Sequence, residues 1–151
     1  MAEQRPSHPR VALVQDGARG HYGLALALQR AGMLEVMYTD FFIKKGGLWD
    51  RLSPFVRQYA RGSLRRLFDR KCDDLDSSRV ETNLAMRIRQ DRKRKNFSDD
   101  SSYFQWIASN IGQWVATRLH GNADILVGFI RHLHPNLCAV AHERGMKTVG
   151  D

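Results

Sequence analysis

Cysteine and long apolar runs are what this sequence most lacks. Its 151 residues include two cysteines, Cys72 and Cys138, without CxxC spacing, so neither a disulfide scaffold nor a four-ligand zinc site is indicated. No stretch approaches the roughly 18 apolar residues of a membrane span. The polar residues 1–10 contain no apolar signal-peptide core. We therefore expect a cytoplasmic protein with ordinary reduced thiols.

Several catalytic signatures are also missing. The sequence has no P-loop ending in GK[ST], no GxSxG and no HExxH. These absences argue against a Walker-type NTPase, a hydrolase with a nucleophile elbow and a zinc metalloprotease.

The charge that is present is concentrated in one segment. Apolar residues make up 42% and charged residues 26% of the chain, with 24 Lys+Arg against 16 Asp+Glu and a net charge of +8. This is ordinary globular composition, and the length fits a single domain spanning 1–151. Residues 51–95 hold 14 of the basic and 6 of the acidic side chains, so this segment carries the whole excess. Because a nucleic-acid footprint usually lies on the core fold, we expect no nucleic-acid partner.

The first part of the chain, residues 10–42, predicts a βαβ unit. A short apolar strand over 11–15 is followed by a glycine-rich turn over 16–23, a helix over 24–31 and a second strand over 34–38. Continuous apolar strands of this kind are typical of a parallel sheet that is covered on both faces.

The last part, residues 101–151, repeats this pattern. Ser101 is the expected cap of a helix over 102–120, which is followed by a strand over 123–129. Pro135 then opens a helix over 136–144, and a further strand begins at 146. Together the two units predict an α/β protein with a Rossmann-like parallel sheet and flanking helices.

The middle segment, residues 51–95, predicts helices. Pro54 suits the first turn of the first helix, and a more polar second helix is expected over 79–95. Loops are expected over 69–78 and 96–102. The apolar stripe of the first helix comprises Leu52, Phe55, Val56, Tyr59, Leu64, Leu67 and Phe68.

The glycine-rich turn is the most informative motif. Its spacing, Gly17, Gly20 and Gly23, is G-x-x-G-x-x-G, which departs from the dinucleotide fingerprint G-x-G-x-x-G. A helix N-terminus behind such a turn suits a phosphate or another anion. Asp40 follows the second strand, where a ribose-binding acid would lie. A plain turn with glycines for packing is the competing interpretation.

A second cluster, residues 130–135, follows the strand that ends at Phe129. In an open parallel sheet, this loop and the glycine turn face the same crevice. Arg131 could contact a ligand there, and His132 or His134 could serve as a general base. His134 could equally be only the residue that starts the helix at Pro135. A metal site on His132 and His134 with His142 is a weaker alternative, because no Cys or acidic partner completes it.

With these residues in hand, the chain resembles the N-terminal, acceptor-side part of a GT-B-fold glycosyltransferase of the large family 4 type. The likeness covers about 75 residues in two blocks. It is carried by 10–23 (RVALVQDGARGHYG), 34–42 (LEVMYTDFF), 123–129 (ADILVGF), 134–137 (HPNL) and 143–151 (ERGMKTVGD).

The resemblance implies transfer of a sugar from a nucleotide-sugar donor to the hydroxyl of a sugar or lipid-linked acceptor. A C-terminal domain, usually with an E-x7-E stretch, would hold the donor; we expect that this chain lacks it and is not active alone. No cofactor and no catalytic metal are implied. Substrate contacts would come from Gly17, Arg19, Gly20, His21 and Arg131, and the acceptor-side catalytic candidates are His134 and His132.

The basic segment gains a candidate role from this resemblance. Arg57, Arg61, Arg65 and Arg66, beside the apolar stripe, fit a helix that contacts an anionic membrane at the inner face. A helix packed on the sheet with a solvated basic face is the competing interpretation. Two other functions stay open: a nucleotide- or dinucleotide-binding Rossmann module, and a non-catalytic basic module that binds acidic membrane or RNA.

Overall fold

The fold is an α/β arrangement around one parallel sheet. A computed structural model describes residues 8–59, 61, 63–129 and 132–150. Five strands lie in the order β3-β2-β1-β4-β5, and all neighbours are parallel. The strands are β1 (Val11–Val14), β2 (Leu34–Thr39), β3 (Val80–Thr82), β4 (Ile125–Gly128) and β5 (Lys147–Gly150). The expected Rossmann-like sheet is confirmed.

Helices connect these strands and cover the sheet. They are α1 (Gly23–Arg30), α2 (Leu48–Tyr59), α3 (Ser63–Phe68), α4 (Leu84–Lys93), α5 (Asp100–Arg118) and α6 (Pro135–Glu143). Short 3-10 turns precede α1 and β3 and follow α4. Because the chain runs from β1 outward to β3 and then returns to place β4 beside β1, the strand order reverses between β1 and β4. Ligands of open α/β sheets bind at the carboxyl edge near such a reversal.

The central strand explains why both faces are covered. All four residues of β1 are buried, and alternate side chains of a strand point to opposite faces. Ala12 and Val14 join a core formed with α4, α5 and α6, which includes Ile111. Leu13 joins a second core on the other face with Ala25 of α1.

The middle segment differs most from the sequence prediction. Two helices, α2 and α3, form where the apolar stripe predicts a single helix. Pro54 lies inside α2 rather than in its first turn. The stripe is divided: Phe68 is buried, whereas Leu52, Phe55 and Tyr59 are exposed. The side chain of Leu64 lies outside the described residues. The second polar helix is shorter than expected, because β3 occupies 80–82 before α4 begins.

Most other helix and strand boundaries lie within two residues of the predicted ones, but the predicted cap of α5, Ser101, is wrong. Asp99, not Ser101, is the N-cap: its carboxylate accepts hydrogen bonds from the backbone N–H and hydroxyl of Ser102. These bonds hold the pKa of Asp99 below its usual value. Because α5 starts at Asp100, part of the expected loop over 96–102 is helical.

A small third core seats α2 and α3 beside the sheet. Phe41, Ile43 and Phe68 form its buried centre. Trp49 lies edge-on to Phe41 and Phe68, with ring centroids 6.3 and 6.0 Å away. Asp50 of α2 forms an ion pair with Lys71 at 2.8 Å. The start of α2 is therefore held to the segment that follows α3.

Candidate functional site

A cavity of about 640 Å³ lies at the carboxyl edge of β1 and β2. Its walls come from the loops after these strands, from the segment after α3, and from the facing sides of α4 and α5. The lining residues are Asp16, Gly17, Ala18, Asp40, Arg70, Arg87, Gln90, Asp91, Arg94, Tyr103, Phe104 and Ile107. We call this cavity the polar cleft.

Gly17 shapes the loop that enters the polar cleft. Its φ of +65° lies in the left-handed region, which side chains other than glycine adopt at a cost. A Cβ there would lie 3.1 Å from Nη2 of Arg70. The Gly17 N–H donates to Oδ1 of Asp40 at 2.9 Å, and the Gln15 side chain donates to the Gly17 carbonyl. Of the predicted glycines, this one forms part of the cleft wall.

The rest of the glycine turn serves the backbone. Gly20, His21 and Tyr22 all have positive φ, and the two non-glycine residues among them make this a strained turn. The turn buries the Tyr22 ring edge-on against Phe42, where burial raises the pKa of its phenol. Neither Gly20 nor His21 lines the polar cleft. Gly23 has ordinary helical φ and open space around its Cβ position, so its backbone does not require glycine.

Asp40 is the buried centre of the polar cleft. The residue is 2% exposed, and its Oδ2 accepts from Nη1 of Arg70 at 2.5 Å and from Nη1 of Arg87 at 3.2 Å. Oδ1 accepts from the Gly17 N–H and, at 3.3 Å, from the Thr39 hydroxyl. A carboxylate with this many internal donors has little capacity left for ribose hydroxyls. Its position favours holding the cleft together over binding a dinucleotide.

Two buried donors in the cleft wall have no hydrogen-bond partner among the described residues. They are Nε of Arg87 and Nε2 of Gln90. The other nitrogens of Arg87 are engaged, since Nη1 contacts Asp40 and Nη2 contacts Asp91 at 2.8 Å. Gln90 is 1% exposed. Buried donors normally find a partner, so an unpaired one beside a cavity indicates a place for a ligand or water oxygen.

Aromatic rings form the wall of the polar cleft on α5. Tyr103 donates its hydroxyl to the Gln90 carbonyl at 3.3 Å, and its ring lies 4.5 Å below the Arg94 guanidinium. Burial raises the pKa of the Tyr103 phenol. Phe104 is 40% exposed. The cleft thus combines carboxylates, guanidiniums and an amide with an accessible apolar ring.

His132 lies behind the polar cleft rather than in it. Its side chain is fully buried, and Nε2 lies 3.3 Å from Oδ1 of Asp16 without hydrogen-bond geometry. The Phe129 ring packs edge-on against the imidazole. Asp16 lines the cleft, so it connects the buried His132 with the cleft. The predicted contact Arg131 lies outside the described residues, as does the side chain of Arg19.

His134 has a structural role in this fold. It is the N-cap of α6, and its Nδ1 accepts from the Asn136 N–H at 3.3 Å. A Cβ placed on Gly112 of α5 would lie 2.5 Å from the His134 Cβ, so the loop and α5 touch closely here. Within the described ranges, no group of three His, Cys, Asp or Glu side chains is placed to hold a metal ion. His142 instead contacts the Thr148 hydroxyl at 3.2 Å.

The predicted membrane-contact residues are described only in part. Arg61 and Arg65 are exposed, while the side chains of Arg57 and Arg66 lie outside the described residues. No helix in the described part of the chain is long and apolar enough to cross a membrane.

Sequence reasoning missed most of the polar cleft. Arg70, Arg87 and Arg94 all belong to the basic segment, but their spacing gives no sign that they meet Asp40 and Tyr103. Only the positions of β3 and α4 beside β2 bring them together. Charged residues that are brought together by tertiary packing leave no local pattern in the sequence, whereas the glycine turn does.

Comparison of the chain with protein-family models, with curated proteins and with solved structures finds no match. The fold therefore stands on the structure itself: an α/β protein with an all-parallel five-stranded sheet.

Proposed function

We propose that this chain is the acceptor-side domain of a glycosyltransferase and that the polar cleft binds the acceptor sugar. A nucleotide-sugar donor would be held mainly by a second domain, as the resemblance implies. The acceptor would be a free or lipid-linked sugar whose hydroxyl receives the transferred group.

The mixed chemistry of the polar cleft carries this proposal. Each sugar hydroxyl both donates and accepts hydrogen bonds, so a sugar site needs both kinds of partner close together. Asp16 and Asp91 can accept, while Gln90, Arg87 and Arg94 can donate. Phe104 offers an apolar face for the C–H side of a ring. A cavity with convergent polar groups and an aromatic wall is the usual form of a small-molecule site.

Acid–base chemistry in this proposal falls to Asp16. It lines the polar cleft and lies beside the buried His132, so it is the group that could contact the acceptor hydroxyl. His132 would be a positioning residue that acts through Asp16. The alternative catalytic candidate, His134, is engaged as the cap of α6.

The dinucleotide-binding alternative has less support. The acid expected to bind ribose, Asp40, is buried and already accepts from Arg70, Arg87 and Gly17. The lining residues of the polar cleft include Gly17 but no residue of the first turn of α1, so the helix dipole contributes little there.

Saturation-transfer NMR with a panel of sugars, a nucleotide sugar and NAD tests the proposal. We expect signals from one or more sugars, and a loss of about tenfold in affinity in Phe104→Ala, because the exposed ring contributes contact area. Phe55→Ala is the matched control, since it removes an exposed phenylalanine on α2 that does not line the polar cleft. Its sugar binding should equal that of the unmodified chain.

Two outcomes would overturn the proposal. One is binding of NAD or a free nucleotide that is lost in Phe104→Ala, with no sugar bound. The other is sugar binding that is equally weakened by Phe104→Ala and Phe55→Ala, which would indicate non-specific contact with exposed rings.

A further inference from the structure

The unpaired groups in the α4 wall of the polar cleft are both hydrogen-bond donors. Nε of Arg87 and Nε2 of Gln90 are buried and have no partner among the described residues. The two residues are three positions apart on α4, so their side chains lie on one face of that helix. Both residues line the cleft. Two neighbouring N–H donors favour a ligand group that offers oxygen acceptors and needs no acceptor in return.

The buried part of the polar cleft also has more positive than negative charge. Arg70 and Arg87 both contact Oδ2 of Asp40, at 2.5 and 3.2 Å. All three side chains are largely covered, with 16%, 23% and 2% of their surface exposed. Because an arginine stays charged at any ordinary pH, two guanidiniums share one buried carboxylate. One positive charge is therefore left without a buried counter-ion.

The other acids near these guanidiniums compensate for that charge only weakly. Asp91 pairs with Arg87 at 2.8 Å, and Asp100 pairs with Arg94, but both carboxylates are more than half exposed. Water and salt screen exposed carboxylates, so their effect inside the cavity is small. Asp16, the remaining acid of the cleft, belongs to the loop after β1 and not to the α4 wall.

We infer that the polar cleft selects an acidic sugar, a uronic acid, whose carboxylate accepts hydrogen bonds from Nε of Arg87 and Nε2 of Gln90. A carboxylate is ionised at neutral pH and only accepts hydrogen bonds. Its bonds from a guanidinium are stronger than bonds between neutral groups. This inference rests on the proposed function, because it names the class of acceptor sugar that the same cleft would take.

The charge in the polar cleft favours a carboxylate over a phosphate. A phosphate monoester carries nearly two negative charges at neutral pH, whereas the buried part of the cleft leaves one positive charge uncompensated. The additional negative charge would share the cavity with Asp16 and Asp91, and like charges at close range oppose binding. A uronic acid supplies one negative charge and keeps ring hydroxyls for the other groups of the cleft.

Calorimetric titration with matched sugars tests the inference on the unmodified chain. The pairs are methyl glucuronoside with methyl glucoside, and methyl galacturonoside with methyl galactoside, which differ only in the carboxylate. We expect the uronate of at least one pair to bind at least about tenfold more tightly than its neutral partner. Glucose 6-phosphate, as a third arm, should bind more weakly than that uronate.

The variant Gln90→Glu assigns the preference to the α4 wall. It removes the Nε2 donor and places a carboxylate on the same face of α4 as Arg87, so the affinity ratio of uronate to neutral sugar should fall to about one. Gln113→Glu is the matched control, because it makes the same change at an exposed position of α5 that does not line the cleft. Its ratio should equal that of the unmodified chain. Circular dichroism melts verify that both variants fold.

The possible failures are distinguishable. Neutral sugars that bind as tightly as their uronates would overturn the inference and leave the proposed function standing, whereas binding of no sugar would overturn both. Tighter binding of glucose 6-phosphate than of either uronate would assign the two donors to a phosphate. A ratio that is retained in Gln90→Glu, or lowered equally in Gln113→Glu, would show that the α4 wall does not set the preference.

Discussion

The polar cleft buries polar side chains, whereas the outer row of α2 (Leu48, Leu52, Phe55 and Tyr59) exposes apolar ones. Both placements are the reverse of what is usual in a folded protein. In the cleft, Asp40 and Gln90 are buried, although carboxylates and amides are ordinarily exposed. On α2, Phe55 and Tyr59 are exposed, although their rings would ordinarily be covered. Buried polar groups and contiguous exposed apolar groups are the informative exceptions in a folded protein. Each exception costs stability, so we expect it to be kept where a function requires it.

The two regions therefore suit different kinds of partner. The cleft keeps hydrogen-bonding groups in a shape that suits a polar small molecule, whereas α2 offers apolar area with charge around it. The two regions are neighbours in the chain: Phe68 closes the core beneath α2, and Arg70 contacts Asp40 two residues later. Substitutions in this short stretch can therefore separate the roles of the two regions.

The largest expected effect compares two phenylalanines of the basic segment. Phe68→Ala should destabilise the fold by about 3–5 kcal/mol, because Phe68 is 2% exposed and its removal leaves a cavity. Phe55→Ala should change stability by less than about 0.5 kcal/mol, since that ring is already in water. Urea unfolding monitored by circular dichroism measures both. Equal losses would mean that the protein itself covers the outer row, so that Phe55 would not differ from the buried Phe68.

A similar contrast applies to two carboxylates of the polar cleft. Asp40→Ala leaves Arg70 and Arg87 without their buried partner and should cost about 3 kcal/mol. Asp91→Ala should cost less than about 1 kcal/mol, because that side chain is 55% exposed and its pair with Arg87 is at the surface. Thermal unfolding distinguishes the two. If Asp40→Ala were neutral, the carboxylate would be available to a ligand and not committed to the fold.

The glycines of the turn give a smaller effect. Gly17→Ala should cost about 1–2 kcal/mol, because φ is positive and the new Cβ approaches Arg70. Gly23→Ala should be neutral or stabilising by up to about 1 kcal/mol, since Gly23 begins α1 with helical φ and open space. Denaturant midpoints of the two variants provide the measurement. Loss of stability in Gly23→Ala but not in Gly17→Ala would show that the backbone requires glycine at position 23 and not at position 17.

The smallest effect concerns the anchor of α2. The Lys71 ammonium, and then the Gly46 N–H, hold the pKa of Asp50 below 3.8. A carboxyl whose pKa is lowered by folding adds stability above its unfolded pKa and loses that contribution as pH falls through the folded value. Stability should therefore decline below about pH 4, and less steeply in Asp50→Asn. An identical slope in both proteins between pH 4 and pH 2 would contradict this assignment.

The sheet could be predicted from the sequence because its signals are local. Strands such as β1 and β4 are short apolar runs, and glycines or Pro135 mark the helix ends, so their order along the chain already indicates a parallel sheet. β3 has only three residues, with Val80 buried, and gives no pattern strong enough to find it. Its absence from the prediction also extended the helix that follows.

The candidate site could be predicted only where the backbone defines it. Gly17 was found because a positive φ favours glycine. Gln90 and Arg87 were not found, because nothing in their local sequence distinguishes them from other polar residues on a helix. The sequence left the orientation of α2 open for a related reason: helical spacing indicates an apolar stripe but not whether that stripe faces the core or the solvent.

The variant Gln90→Met, measured for both stability and sugar binding, tests most directly whether the polar cleft binds a sugar. If the unpaired Nε2 of Gln90 is kept for a ligand, a side chain of similar shape without that donor should leave the melting temperature unchanged or higher. Sugar binding should fall at least about tenfold, whereas the exposed control Gln113→Met should retain it. A lowered melting temperature with full sugar binding in Gln90→Met would show that Gln90 serves the fold and not a ligand.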